Sequence, residues 1–105
     1  MSKFSFIENG SITSSLDFSA SGVTAGFKRS GAADCAMIYS KRPANFAAAF
    51  TSCVFAAAPV LVDKEKVKTS EFIQAVFVNS GNANACTGET GLENARKTCD
   101  MVAEK

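Results

Sequence analysis

The chain has 105 residues, a length typical of one domain, and 47% of them are apolar while 20% are charged. This balance excludes an intrinsically disordered chain. Eleven basic residues stand against ten acidic ones, so the net charge of +1 favours neither nucleic acid nor an anionic membrane as a partner. The chain has no His, so a mechanism or zinc site that needs one would have to take it from another chain.

The cysteines and the amino terminus indicate a compartment. The four cysteines form no Cys-x-x-Cys pair, and the first residues lack the apolar core of a signal peptide and the arginines of a transit peptide. We therefore expect a cytoplasmic protein whose thiols are reduced and mostly buried. These thiols belong to Cys35, Cys53, Cys86 and Cys99.

Short elements and turns are predicted over the first thirty residues. Residues 4–7 alternate Phe, Ser, Phe and Ile, which predicts a short edge strand, and Asn9-Gly10 is a strong turn signal. Residues 11–15 are polar and predict a surface strand or loop. Three glycines between residues 22 and 31 lack the spacing of a nucleotide-binding fingerprint, so we interpret them as positions for bends.

The middle of the chain is apolar. Residues 35–40 predict a buried strand that ends at the Lys-Arg-Pro of residues 41–43, and we place another strand at about residues 47–51. Residues 43–62 carry no charge over a length that could span a bilayer, but polar residues interrupt them and a proline lies near each end. A buried strand–turn–strand or strand–helix passage is therefore the better interpretation.

A new element is predicted to begin at residues 56–59, where Pro59 follows three alanines. The charged residues 63–68 predict a solvated turn or short helix. Residues 72–78 form a nearly continuous apolar run, which predicts the clearest strand of the chain.

A helix is predicted after a polar loop, with Thr90 and Glu93 as its capping box. No Gly or Pro stops this helix before Lys105, so we expect the chain to end inside a larger fold. Together the elements indicate an α/β fold of the α+β type, in a single domain over residues 1–105. The apolar face of the helix comprises Leu92, Ala95, Cys99 and Val102.

The loop between residues 79 and 91 is the most distinctive candidate site, with three Asn and three Gly. Free N–H groups at a helix start attract anions, so the loop could form one wall of a pocket for a small anionic substrate. The commoner arrangement is a tight strand-to-helix connection in which Asn side chains bond the backbone. The residues alone leave both interpretations open.

Other candidate residues favour structural roles. Cys86 precedes a helix start, where a thiol can be nucleophilic, but without a His base a structural thiol is favoured. Lys28 and Arg29 could bind a carboxylate, although a solvated turn is the usual role. Asp34 indicates a turn or cap residue rather than a general acid. Since no pair of carboxylates has a spacing typical of acid–base catalysis, these residues identify no reaction.

Three blocks of the sequence nevertheless resemble a known family. They are GVTAGFKRSGAADCAMI, RPANFAAAFTSCVFAAAPVLV and AVFVNSGNANACTGETGLENA, in that order. They resemble the amino-terminal region of the ornithine acetyltransferase family, also called the bifunctional glutamate N-acetyltransferase or ArgJ family, over about residues 17–105. The third block is the most specific.

The resemblance implies an enzyme of arginine biosynthesis, made as a precursor that cuts itself before a Thr. The α and β chains stay together, and the Thr that begins the β chain takes acetyl from N-acetylornithine and passes it to glutamate by a ping-pong transfer. A Thr-Gly pair on the α chain helps to form an oxyanion hole. No cofactor is implied, although some members accept acetyl-coenzyme A. The implied fold is the amino-terminal part of a layered sheet–helix sandwich of the ArgJ/DmpA-like kind.

The family's catalytic residues have no counterpart in this chain. The nucleophile and the oxyanion pair belong to segments after residue 105, Thr87-Gly88 belongs to a different block, and no metal ligand is implied. Asn82 and Asn84 are the candidate substrate-binding residues. We therefore expect a fragment of the α chain that is incomplete and inactive alone.

The implied partners are the β chain, the remainder of the α chain, and the substrates N-acetylornithine and glutamate, in an oligomer without nucleic acid or membrane. The alternative is a truncated, non-catalytic fragment that acts as a binding or interaction module. An enzyme fragment would expose apolar surface where the remainder docks. A module would have a self-contained surface, or a homo-oligomer that covers those faces.

Overall fold

The computed structural model describes residues 3–105 and has three strands and two helices. The strands form one antiparallel sheet in the order β1-β2-β3, and the first helix lies in the connection between β2 and β3. A 3₁₀ turn precedes β1 at Ile12–Ser14. The elements are β1 (Phe18–Val23), β2 (Cys35–Ala44), α1 (Ala58–Thr69), β3 (Ile73–Asn79) and α2 (Gly88–Ala103).

Both faces of the sheet are apolar along β2 and β3 and are open to solvent. Successive residues of a strand point to opposite faces, so Val76 and Val78 lie on one face and Phe77 on the other. Val76 pairs with Ile38 and Phe77 with Met37, which extends both apolar surfaces across β2. The side chains of β3 are 39–51% exposed at these three positions. Strands with two apolar faces are typical of a sheet covered by a layer on each side.

The two helices pack against each other. Val62 of α1 is 1% exposed and is the most deeply buried apolar side chain of the described residues. The predicted apolar face of α2 is half-buried along its whole length. Arg96 donates to Glu65 across the helix pair at 2.8 Å, and this hydrogen bond lowers the pKa of the Glu65 carboxyl. Because both side chains are about half exposed, packing around Val62 contributes more to the pair than this ion pair does.

The molecule is expanded for its length. Its radius of gyration is 15.9 Å, whereas a domain of this length has one of about 13 Å. Its accessible surface is 8375 Å², against about 5,600 Å² for a folded monomer of this mass. Of the described apolar residues only Cys35, Ala58 and Val62 are buried. The α+β fold predicted from the sequence is confirmed, and as a layered structure it is incomplete alone.

Several predicted elements are confirmed. The strands at residues 35–40 and 72–78 correspond to β2 and β3, and the turn at Asn9-Gly10 is closed by a 3.0 Å bond from the Gly10 N–H to the Ile7 carbonyl. The new element at residues 56–59 is the start of α1. The charged residues 63–68 form the second half of this helix rather than a separate turn.

Two predicted strands are wrong. Residues 4–7 are irregular, and so are residues 47–51, which are exposed together with the residues up to 55. The local patterns of these two segments suit a strand, but a strand also needs a neighbour with which to pair. The buried passage predicted for residues 43–62 is therefore correct only in its helical part. Among residues 3–105, no helix is long and apolar enough to cross a membrane.

The predicted end of β2 is also wrong, because the strand continues through Pro43 to Ala44. The register changes between Tyr39, which pairs with Ala75, and Ala44, which pairs with Ile73, so the intervening residues bulge from the ladder. A bulge tolerates proline because the ladder needs no N–H there. The Ser40 hydroxyl donates to the Arg42 carbonyl at 2.7 Å and stabilises the bulge.

The predicted capping box of α2 is wrong as well, since the helix begins at Gly88 with Thr87 as its N-cap residue. Thr90 lies inside the first turn, where it cannot cap. The Thr87 side chain lies against Gly91 and occupies the position that a Cβ of residue 91 would take, so a larger residue at position 91 would clash with Thr87. The prediction of mostly buried thiols is wrong too: only Cys35 is buried, Cys99 is half-buried, and Cys53 and Cys86 are exposed.

Candidate functional site

The loop between β3 and α2 connects three elements. Asn84 donates from its side-chain Nδ2 to Oδ1 of Asn79 at 2.7 Å, which joins the loop to the end of β3. The Ala58 N–H donates to the Asn84 carbonyl at 3.2 Å, which satisfies a free donor at the start of α1. Asn84 is half-buried and therefore holds the loop in place. Its side chain bonds another side chain rather than the backbone.

Asn82 has a different environment, because it is exposed. The preceding residue, Gly81, has a φ of 79°, a backbone conformation that favours glycine. A Cβ at Gly81 would lie 2.6 Å from Cγ of Lys28 and 3.4 Å from its backbone nitrogen. The loop therefore lies directly on the Phe27–Lys28 peptide, and Asn82 is the next residue after that contact.

The Asp34 carboxylate organises the loop that contains Lys28. Asp34 is 3% exposed, and its Oδ1 accepts the Ala25 N–H at 2.6 Å while its Oδ2 accepts those of Phe27 at 2.7 Å and Lys28 at 3.0 Å. These backbone donors, that of Ala25 first, hold the pKa of the Asp34 carboxyl below its ordinary value of 3.8. A carboxylate held ionised by three donors cannot act as a general acid near neutral pH. The prediction of a turn residue is confirmed.

Lys28 and Arg29 lie at the tip of the same loop. The Lys28 ammonium donates to the Ala33 carbonyl at 2.9 Å, so it braces the loop from within. Arg29 is exposed. The sequence predicted only that Lys28 lies in a solvated turn. The structure shows in addition that its side chain stabilises that turn.

A cavity of about 360 Å³ lies between the first turns of α1 and α2. Cys86 is one of the residues that line the cavity. Its backbone has a φ of 55°, an unusual conformation for a residue other than Gly, Asn or Asp. The lining is mostly apolar, with polar groups from Thr87 and Glu89. It consists of Phe55, Ala56, Ala58, Leu61, Cys86, Thr87, Gly88, Glu89 and Leu92.

The predicted site residues and this cavity are separate features. Neither Asn82 nor Asn84, both of which the structure describes, lines the cavity. Asn84 nevertheless accepts a hydrogen bond from Ala58, which is a lining residue at the start of α1. The lining residues of α1 were missed because the sequence carried no chemical signal there beyond Pro59. Among the described residues, no three Cys, Asp or Glu side chains come together as metal ligands.

Comparison with known proteins confirms the family resemblance over most of the chain. Residues 19–105 match the ArgJ family. Two proteins called arginine biosynthesis bifunctional protein ArgJ are each 51% identical to this chain, that of Caldanaerobacter subterraneus subsp. tengcongensis over 98 residues and that of Geobacter sulfurreducens over 88 residues. The matches cover 93% and 84% of this chain but 24% and 22% of those proteins. The chain thus spans about a quarter of the length of these curated relatives.

Two solved structures share the fold. ArgJ from Bacillus halodurans superposes with a TM-score of 0.88 at 42% identity, over 93% of this chain and 51% of that chain. Ornithine acetyltransferase from Mycobacterium tuberculosis, solved in complex with ornithine, gives a TM-score of 0.76 at 42% identity, over 83% of this chain and 45% of that chain. The sheet and helices described above are therefore those of an amino-terminal part of the ArgJ fold.

Proposed function

Since the chain belongs to the ArgJ family, we propose that it is part of an arginine-biosynthesis acetyltransferase that moves acetyl from N-acetylornithine to glutamate. The observation that carries the proposal is the match over residues 19–105, together with 51% identity to two proteins named for arginine biosynthesis. The ornithine held by the Mycobacterium tuberculosis relative supports the same substrate class, because ornithine remains when N-acetylornithine loses its acetyl group.

The proposed chemistry is a two-step acyl transfer. A Thr hydroxyl at the start of the β chain attacks the acetyl carbonyl, the amide bond breaks, and ornithine leaves with the proton on its nitrogen. The amine of glutamate then attacks the resulting ester, which releases N-acetylglutamate and restores the hydroxyl. We assign none of the threonines of this chain as that nucleophile. The transfer itself needs no cofactor, and acetyl-coenzyme A is a second donor to be tried in the same assay.

A two-chain protein is supported by the lengths of the relatives. The matched segment spans 51% of the solved Bacillus halodurans chain but 24% of the Caldanaerobacter protein. The solved chain is therefore about half as long as that relative, as a precursor cut near its middle would be. We propose that this chain contributes to the α chain of such a protein.

The open sheet faces support docking of further chain. We propose that the remainder of the α chain and the β chain cover the apolar surfaces that contain Val76, Phe77 and Val78. A self-contained binding module would bury such side chains itself. The exposed surface therefore favours the enzyme fragment over a self-contained module, whereas a module that forms a homo-oligomer would expose the same surface in each chain.

Within this assembly we propose that Asn82 faces the substrate and that Asn84 supports it. Asn82 is exposed within the β3–α2 loop, whereas the side-chain amide of Asn84 already donates to Asn79. An Asn amide can bond a carboxylate or an amide without ionising, which suits both amino-acid substrates.

Asn82→Ala in the full-length protein is expected to raise KM for N-acetylornithine by about tenfold, the cost of one hydrogen bond to a charged group. Asn45→Ala, which removes an exposed amide outside the site, is the matched control and should leave KM unchanged. Unchanged KM and kcat in Asn82→Ala would remove Asn82 from the proposed site.

The activity itself is tested with isotope-labelled N-acetylornithine and glutamate, with N-acetylglutamate followed by mass spectrometry. The full-length protein is expected to form labelled N-acetylglutamate, and residues 1–105 alone are expected to form none. Transfer by the 105-residue chain alone, or none by the full-length protein, would contradict the proposal.

A further inference from the structure

The Asp34 carboxylate is buried and fully engaged, yet the proposed acyl transfer does not use it. Its three donors all come from the backbone of the loop that precedes β2, at 2.6, 2.7 and 3.0 Å. Hydrogen bonds to an ionised carboxylate are roughly twice as strong as those between neutral groups. The carboxylate therefore fixes the path of residues 25–28.

This fixed path is the surface on which the β3–α2 loop lies. The backbone of Phe27 and Lys28 comes within 3.5 Å of the position that a Cβ of Gly81 would take. The Asp34 carbonyl also accepts the Ser80 N–H at 2.8 Å, at the first residue after β3. Asp34 thus contacts the β3–α2 loop directly through its backbone and indirectly through the loop that its side chain holds.

We propose that Asp34 is a positioning residue, which fixes the Phe27–Lys28 peptide as a platform for the β3–α2 loop and so sets the position of Asn82. The effect on the loop follows from the contacts above, and the effect on turnover rests on the proposed function of Asn82. Asp34 touches no substrate in this account and acts only through the loop.

Asp34→Asn separates this role from simple space filling. Asn has the same shape but only one acceptor oxygen, so its NH₂ group must face at least one of the three N–H donors. The platform is then held on one side only. The loop beyond it should open more often, while elements that do not contact it should be unaffected.

The test is hydrogen exchange of the full-length protein, followed by mass spectrometry of its peptides. In Asp34→Asn, amides of residues 80–85 are expected to exchange about tenfold faster, while amides of residues 95–103 in α2 keep their wild-type rates. Asp17→Asn is the matched control, because it removes another carboxylate, one that pairs with Arg42 at 2.9 Å, and should not change the loop. Wild-type exchange at residues 80–85 in Asp34→Asn would overturn the inference.

Lys28→Ala provides a second variant should Asp34→Asn not fold. It retains the carboxylate bonds to the backbone but removes the Cγ that lies against Gly81. A smaller acceleration at residues 80–85, about threefold, is expected. Unchanged exchange there in this variant would equally overturn the inference.

Steady-state kinetics of Asp34→Asn separates the inference from the proposed function. A raised KM for N-acetylornithine with kcat little changed is expected, because the loop must be ordered before substrate binds. Faster loop exchange with unchanged KM would support the positioning role and would instead remove Asn82 from the substrate site. Unchanged exchange overturns the inference whatever the kinetics.

Discussion

Several polar residues of this structure fix the backbone conformation of the loops through hydrogen bonds and close contacts of their side chains. Asp34 receives three N–H donors, Asn84 joins β3 to α1, and Lys28 occupies the space beside Gly81. In each case a polar side chain fixes a loop that the sheet and helices leave without support. The loop conformation therefore depends on a few specific side chains rather than on burial of apolar surface.

Acid should weaken the Asp34 contribution. Since the folded pKa lies below 3.8, the stabilisation is present at and above the pKa of the unfolded chain and is lost as the pH falls through the folded value. We expect the melting temperature of the full-length protein to exceed that of Asp34→Asn at pH 6, and the gap to narrow as the pH falls from 6 to below about 4. Thermal unfolding followed by circular dichroism measures it. A gap that stays constant over this range would contradict the assignment.

The contact between Lys28 and Gly81 should appear as an energetic coupling. Gly81→Ala introduces a side chain at positive φ and against the Lys28 Cγ, whereas in a Lys28→Ala background only the backbone cost remains. We expect a coupling free energy of about 1 kcal/mol in a double-mutant cycle measured by urea unfolding. Gly88→Ala, also at positive φ but with nothing within 4 Å of the added Cβ, is the control and should be additive with Lys28→Ala.

Among the elements, the helix pair has the best-packed interior. Val62→Ala is expected to destabilise the 105-residue chain by about 2 kcal/mol, because it removes two methyl groups from a side chain that is 1% exposed. Val54→Ala makes the same chemical change at a side chain that is 89% exposed and should have little effect. Urea unfolding followed by far-UV circular dichroism compares the two variants. Equal effects would show that the helices do not pack as described.

The elements that could be predicted from the sequence are those with a local cause. The apolar run of β3 predicts a strand, and the alanines before Pro59 predict the start of a new element, without reference to distant residues. The strand expected at residues 47–51 failed because pairing is non-local, and β2 passes through Pro43 because a bulge accommodates it. The start of α2 at Gly88 likewise depends on the fit of Thr87 against Gly91.

The candidate site was predictable only in part for the same reason. The composition of the β3–α2 loop drew attention to Asn82 and Asn84, and the structure describes different surroundings for each. The contact of that loop with residues 27–28, more than fifty positions earlier, has no local signal. Asp34 was predicted as a turn residue, but its contact with Ser80 could not be read from the sequence.

The whole molecule resembles one inner layer of a larger fold, without the layers that would pack on either side of it. Its sheet is apolar on both faces along β2 and β3, its radius of gyration is 15.9 Å, and few of its described apolar side chains are buried. Such a surface is favourable only when other layers pack on it. The exposed faces thus agree with the comparisons, in which the chain matches about a quarter of the length of its ArgJ relatives.

Polar substitution on the sheet should therefore make the isolated 105-residue chain less hydrophobic on its surface but make the full-length protein harder to assemble. Val76→Thr combined with Val78→Thr, on one open face, is expected to lower dye binding by the 105-residue chain and to reduce assembly of the full-length protein. Fluorescence of a hydrophobic dye and the yield of assembled protein measure the two effects. Val54→Thr, outside the sheet, is the control. Normal assembly of the double variant would show that this face is not covered.

We propose that these residues belong to a self-processing acetyltransferase. The most direct test is the intact mass, under denaturing conditions, of the protein purified from its native source. Two chains that purify together are expected, one of them beginning with this sequence and the other beginning with Thr. A single species of 11.0 kDa would contradict the account, since these residues would then act without the parts that the chemistry requires.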